Sequence, residues 1–188
     1  MSKLSPERAA IFLAALAVVS GLLSSFAPVD PWEIITFGPG PERVPLLPGI
    51  YFGLVLCVGL YLWETKDAIK LAAVLIVVVI AWICAWKTAV EVHRILDGNA
   101  SGDIPYSYAI AGFIAGLVGS LITVAGISFA SRDSRTYVTW IRTILIGAVA
   151  GLLLQLQSTL LPLLVVWQTA VAASIAYGLV RPKWSVRT

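Results

Sequence analysis

Long stretches without any Asp, Glu, Lys or Arg dominate this sequence of 188 residues. There are five of them: residues 9–29, 44–63, 71–86, 104–131 and 143–180. A helix of about 20 mostly apolar residues crosses the hydrocarbon core of a bilayer, because each residue rises about 1.5 Å. The chain is 59% hydrophobic and 12% charged, which leaves too little polar surface to solvate a compact soluble domain. The sequence therefore predicts an all-α integral membrane protein.

The number of spans follows from the last uncharged stretch, residues 143–180, which is about twice as long as one span. Pro162 follows a polar run there, and proline suits a first helical turn but breaks a helix interior. The stretch therefore predicts a helical hairpin and a total of six spans. We expect one compact bundle over residues 1–188, with spans at about 8–27, 46–63, 68–95, 105–130, 137–158 and 162–180.

The placement of Lys and Arg orients these spans. If the N-terminus is cytoplasmic, the cytoplasmic segments hold Lys3, Arg8, Lys66, Lys70, Arg132, Arg135, Arg142, Arg181, Lys183 and Arg187. The other side holds only Arg43, Lys87 and Arg94. Because cytoplasmic loops of membrane proteins carry such an excess, both chain ends are predicted to be inside. In this orientation Trp86 and Trp167 fall near the outer boundary, as members of an aromatic belt.

Small residues spaced four apart indicate where helices pack closely. Gly112 and Gly116 form one such pair on the fourth helix, and Gly147 and Gly151 form another on the fifth. Inside lipid, close backbone approach is a main source of helix association. These glycines are predicted to pack helices within the bundle. The alternative is that the fourth helix uses its glycine face to bind a second copy or another subunit.

The outer end of the third helix carries Lys87, Glu91 and Arg94, which share one helical face. Lys87 follows Lys70 by about 26 Å of helix, which places this charged ladder at the outer interface. One interpretation is an interfacial set of salt bridges. The other is a polar site of net positive charge that receives an anionic head group or solute.

Two glutamines are predicted at the same depth. Gln155 ends the fifth helix, and Gln168 lies early in the sixth. An unpaired amide in lipid is costly, so both should point inward. They either form a hydrogen-bonded clasp between helices or line one cavity with Glu91.

The predicted outer loop at residues 28–48 holds six of the ten prolines, with Gly38-Pro39-Gly40-Pro41 at its centre. Prolines favour a stiff, extended or turned path. The apolar content of the loop predicts that it is structured and packs on the bundle. It would serve as a lid over the outer polar layer or as a docking surface for another subunit.

Catalytic and cofactor motifs are not found. His93 is the only histidine, and Cys57 and Cys84 lie in separate apolar stretches, so no multi-histidine metal site or zinc framework is predicted. The motifs GxSxG, HExxH and the Walker lysine motif are also missing. We predict no enzymatic activity, no cofactor, no metal and no nucleic-acid partner.

The function indicated by these features is binding or transport of a solute or lipid in the outer half of the bundle, through Lys87, Glu91, Arg94, Gln155 and Gln168. The alternative is a non-catalytic accessory or assembly subunit of a larger membrane complex. Membrane lipids are the expected partners, together with further copies or other membrane subunits. The short loops favour a bacterial inner membrane.

Overall fold

The computed structural model describes residues 5–26, 33–36, 42–98, 106–131, 135–156 and 160–180. The elements of these ranges are, in chain order, α1 (Pro6–Phe26), β1 (Glu33–Thr36), β2 (Glu42–Pro45), α2 (Leu47–Trp63), α3 (Ala68–Gly98), α4 (Ser107–Ala130), α5 (Tyr137–Gly151) and α6 (Leu161–Leu179). A 3-10 turn, Leu152–Gln155, continues α5. The predicted fifth span, 137–158, is therefore α-helical only as far as Gly151, and 3-10 geometry is a common way for a helix to end.

Five of the described helices are long and apolar enough to cross a membrane when α5 is counted together with its 3-10 turn as Tyr137–Gln155, and α2 is the exception. This confirms the coarse prediction of a helical membrane protein. Helix α2 has 17 residues, or about 25 Å, which is at the lower end of what spans a bilayer. The number of crossings and their orientation stay predictions.

The helices form an antiparallel ring. Each helix packs on the next one in the chain, and α6 returns to α1. Helix α6 also contacts α2 and α4, so it lies nearest the centre of the ring. One end of the bundle carries the β1–β2 segment, the end of α3 and the start of α4. We call it the hairpin end, and the end with the α2–α3 turn is the opposite end.

The glycines of α4 and α5 pack against each other as predicted. A Cβ atom on Gly112 would run into the carbonyl oxygen of Gly151, and one on Gly116 would run into that of Gly147. The two backbones are therefore in direct contact, which only glycine permits at these positions. Because α5 covers the glycine face of α4 within the chain, that face is not left exposed for a second copy.

The opposite end is filled by side chains of four helices. Leu60, Val74, Ile127 and Ile175 belong to one core cluster, and each is at most 1% exposed. Nearby, α5 and α6 are joined by Arg142, whose Nε donates to Ser174 Oγ at 3.1 Å. Because the opposite end is filled by side chains, a binding site is expected at the hairpin end.

The β1–β2 pair departs from the all-α prediction. The two strands are antiparallel, with Glu33 opposite Pro45 and Thr36 opposite Glu42. Residues 28–32 and 37–41 of this loop, with the whole Gly-Pro run, lie outside the described part of the chain. Strand β2 packs on the bundle: Val44 is fully buried, and the carbonyl oxygen of Pro45 accepts a hydrogen bond of 2.7 Å from Trp82 Nε1. The described part of the connection therefore contains a strand pair that packs on the bundle, and its role as lid or docking surface stays a prediction.

Candidate functional site

Three of the five predicted site residues come together on α3. Lys87 Nζ lies 3.2 Å from Glu91 Oε1, and Arg94 Nη2 lies 2.6 Å from Glu91 Oε2. The ladder borders a surface groove between α3 and α4, whose apolar side includes Val118 and Ile122. The salt bridges of the first interpretation are thus present. An anionic ligand at this groove stays a prediction.

Gln168 lies elsewhere, between α6 and α1. It is 1% exposed; its Oε1 accepts a 2.6 Å hydrogen bond from Ser20 Oγ, and its Nε2 donates to Ser24 Oγ at 3.3 Å. Burial of an amide in this way requires partners for both of its ends. The two serines supply them, so Gln168 clasps α1 to α6.

Gln155 has a third environment. Its Oε1 accepts a 3.0 Å hydrogen bond from the backbone N–H of Ala109. Ala109 is in the first turn of α4, where backbone N–H groups have no partner within the helix. Gln155 therefore caps α4 from the 3-10 turn. The prediction of one polar pocket shared by all five residues is corrected: Gln155 and Gln168 each bind a different helix, and neither of these bonds involves Glu91.

An aromatic cavity of about 200 Å³ opens at the hairpin end, between α3, α4, the 3-10 turn and α6. Its aromatic lining residues are Trp82, Trp86, His93, Tyr108 and Trp167. They belong to the face of α3 away from the Lys87–Glu91–Arg94 ladder, to the first turn of α4 and to the second turn of α6. This site was not predicted from the sequence.

Small residues create the space between these rings. Ala85 and Ala89 line the cavity from α3, and Gly112 and Gly116 line it from α4. Because these four side chains are short or absent, they leave the space between the surrounding rings unfilled. Protein interiors are packed with few voids larger than a water molecule, so an open space of this size between three helices distinguishes the hairpin end from the opposite end.

His93 forms the polar border of the cavity. Its Nε2 lies 3.1 Å from Asp97 Oδ2, and its ring stacks on Tyr108 with 3.8 Å between centroids. The second ring nitrogen, Nδ1, is buried and has no hydrogen-bond partner among the described residues. Because Nδ1 is buried, it adds no polar surface to the cavity wall.

Trp167 supplies a second unpaired polar atom. The residue is 9% exposed, and among the described residues its Nε1 has no hydrogen-bond partner. Its ring contacts Phe52, with 5.4 Å between centroids. A Cβ atom built on Gly119 would lie 3.4 Å from Trp167 Cζ2, so the edge of the indole near Nε1 faces α4. The sequence had placed Trp167 in the outer aromatic belt, and the structure instead buries it inside the bundle.

Comparison with known proteins identifies no relative. The protein-family models, the curated proteins and the solved structures that were compared contain no match.

A signal for the cavity was present in the sequence. Trp82, Trp86, Ala89 and His93 follow one another at helical spacing on α3, which places them on one face. Trp86 was interpreted as a belt residue and His93 was considered only as a metal ligand. The sequence did not predict that Tyr108 from α4 and Trp167 from α6 line the same cavity as these residues of α3.

Proposed function

We propose that the chain crosses a bacterial inner membrane six times, with both ends in the cytoplasm. An antiparallel ring of six helices places its first and last residues at the same end. Arg43, Lys87 and Arg94, the three basic residues predicted outside, belong to the hairpin end, and the described cytoplasmic candidates, such as Lys66 and Lys70, belong to the opposite end. The charge asymmetry thus coincides with the two ends of the bundle.

Helix α2 is the weakest span in this proposal, and two engineered cysteines that flank it test its crossing. In a chain with Cys57→Ala and Cys84→Ala, we expect Arg43→Cys to react with a membrane-impermeant maleimide added outside spheroplasts. Lys66→Cys should react only after permeabilisation. Both original side chains are on exposed residues. Equal labelling of the two positions from outside would show that α2 does not cross.

For the activity, we propose that the chain binds a hydrophobic small molecule in the aromatic cavity. The observation that supports this is the unfilled space of about 200 Å³ in an otherwise packed bundle. The cavity is open at the hairpin end, so its apolar walls are accessible to a molecule that enters from there. Apolar walls with a few polar groups are typical of small-molecule sites.

Binding at the hairpin end fits the rest of the bundle better than conduction along it. The core cluster at the opposite end, with Leu60 and Ile127 fully buried, obstructs a path through the ring. Strand β2 is held beside the cavity by the bond from Trp82 to Pro45. We therefore propose a binding protein whose ligand enters at the hairpin end.

Equilibrium dialysis of the protein in nanodiscs tests this proposal, with tetralin (a compact bicyclic hydrocarbon) as probe. Protein-free nanodiscs of the same lipid serve as the control, because they measure how much tetralin partitions into the lipid alone. We expect saturable binding above this background, with one probe per chain. Binding that only follows the amount of lipid would reject the proposal.

Native mass spectrometry addresses the alternative of an accessory subunit, which predicts a retained protein partner.

A further inference from the structure

We infer that the surface groove between α3 and α4 binds one anionic phospholipid. Its phosphate lies at Lys87 and Arg94, and one of its acyl chains lies along Val118 and Ile122. The groove shares no lining residue with the aromatic cavity, so lipid binding here is independent of the proposed function.

The first support is the net charge of the ladder beside the groove. Glu91 pairs with two cations, Lys87 Nζ at 3.2 Å and Arg94 Nη2 at 2.6 Å. It is also the one carboxylate among the described residues that line the groove. One carboxylate balances one of the two cations, so the ladder keeps a net positive charge. Positive side chains near the membrane surface attract anionic lipids.

The second support is the accessibility of the charged groups. The side chains of Lys87 and Glu91 are 22% and 23% exposed, and that of Arg94 is 55% exposed. Arg94 donates from Nε and Nη2 to Glu91 Oε2. Because a guanidinium has five N–H donors in all, Arg94 can bind a phosphate oxygen while it stays paired with Glu91. Arginine and phosphate form strong charge-assisted hydrogen bonds.

The third support is the order of charged and apolar residues along the groove. Ala85 precedes Lys87 on α3, and a Cβ atom built on Gly119 of α4 would lie 3.0 Å from Ala85 Cβ. Val118 and Ile122 line the groove next to Gly119, so they extend it from Lys87 towards the opposite end of the bundle. The charged part therefore lies nearer the hairpin end, and the apolar part lies deeper.

A phospholipid in the leaflet at the hairpin end has the same order, with its phosphate at the boundary and its acyl chains towards the middle of the bilayer. A free phosphate ion would contact only the charged part of the groove. The apolar continuation along Val118 and Ile122 favours an anion that is attached to a chain. This combination commits the groove to a phospholipid.

Native mass spectrometry of the detergent-solubilised chain tests the inference with two lipids of identical acyl chains. The protein is titrated with an equimolar mixture of dioleoyl phosphatidylglycerol, which is anionic, and dioleoyl phosphatidylcholine, which has a phosphate but no net charge. We expect the complex with one lipid to contain about fivefold more of the anionic lipid, the effect of one positive charge near the membrane surface. Equal amounts of the two lipids would overturn the inference.

Arg94→Gln and Glu91→Gln change the charge of the ladder in opposite directions. The ratio of anionic to zwitterionic lipid should fall to about one in Arg94→Gln and rise above the wild-type ratio in Glu91→Gln. Lys70→Gln is the matched control. It removes one positive charge from the same helix at the opposite end, where Lys70 Nζ lies 3.9 Å from Asp67 Oδ2, and it should leave the ratio unchanged. An unchanged ratio in Arg94→Gln, or an equal fall in Lys70→Gln, would reject the ladder as the lipid site.

The headgroup alone distinguishes a lipid site from a phosphate site. Glycerophosphoglycerol is the headgroup of phosphatidylglycerol without its acyl chains. In large excess it should leave the complex with one lipid intact, because it cannot contact Val118 and Ile122 as a chain does. Displacement of the lipid by this headgroup would show that the charged part of the groove is sufficient, and would overturn the assignment of a phospholipid. Arg94→Gln should bind tetralin as the wild-type chain does, so failure of the lipid site and failure of the proposed function are distinguishable.

Discussion

Gly112→Ala should lower the free energy of unfolding by about 2 kcal/mol or more. The new methyl group would run into the carbonyl oxygen of Gly151 and approach Leu154 Cβ within 2.7 Å. Backbone cannot move aside as a flexible side chain can, so α4 and α5 must separate. Overpacking costs typically 1–3 kcal/mol, and loss of the backbone contact adds to it. The measurement is the midpoint of unfolding by SDS in mixed micelles, followed by circular dichroism.

Gly98→Ala is the matched control for this change. Gly98 is also helical, at the end of α3, and a Cβ atom there meets no described atom within 4 Å. Alanine has the higher helix propensity, by about 1 kcal/mol in a helix interior, so this variant should be neutral or slightly more stable. Similar stabilities for Gly98→Ala and Gly112→Ala would mean that the α4–α5 glycine contact does not stabilise the bundle.

Ala89→Phe should reduce binding of tetralin at least tenfold. Ala89 lines the cavity from α3, and a phenyl ring at this position occupies the space that the ligand needs. Filling a cavity commonly stabilises a protein, so the SDS midpoint should stay the same or rise. Loss of binding without loss of stability distinguishes a blocked site from a misfolded chain.

Ala73→Phe controls for the added ring itself. Ala73 is on the same helix but exposed, in its first turns, where the phenyl ring meets lipid or solvent. Its binding curve should match that of the wild-type chain. If Ala89→Phe also binds the probe as tightly as wild type, the cavity is not the binding site.

The helices themselves could be predicted because their signal is local. An uncharged stretch such as residues 104–131 is long enough to favour a spanning helix by composition alone. The glycine spacing likewise indicates one close-packing face on α4 and one on α5. Because the two helices are consecutive in the chain, these faces could be expected to pack on each other. The ion pairs of Glu91 were predictable for the same reason, since its partners lie within one turn on either side.

The partners of the glutamines could not be predicted in this way. Gln168 and Ser20 are separated by 148 positions in the chain, and many polar groups compete for a buried amide. The β1–β2 pair was also missed, because its strands are four residues each and the prolines around them favour a turn or extended path without specifying a partner.

The sequence by itself determined that this chain forms apolar helices, where they break and which faces pack closely, because hydrophobicity and helical periodicity act over neighbouring residues. Only the tertiary structure decided that Trp167 turns inward, that His93 and Tyr108 stack on each other, and that a cavity stays open between α3, α4 and α6. Those features depend on how three helices meet, and the shape left between packed side chains is a property of their joint arrangement rather than of any one segment.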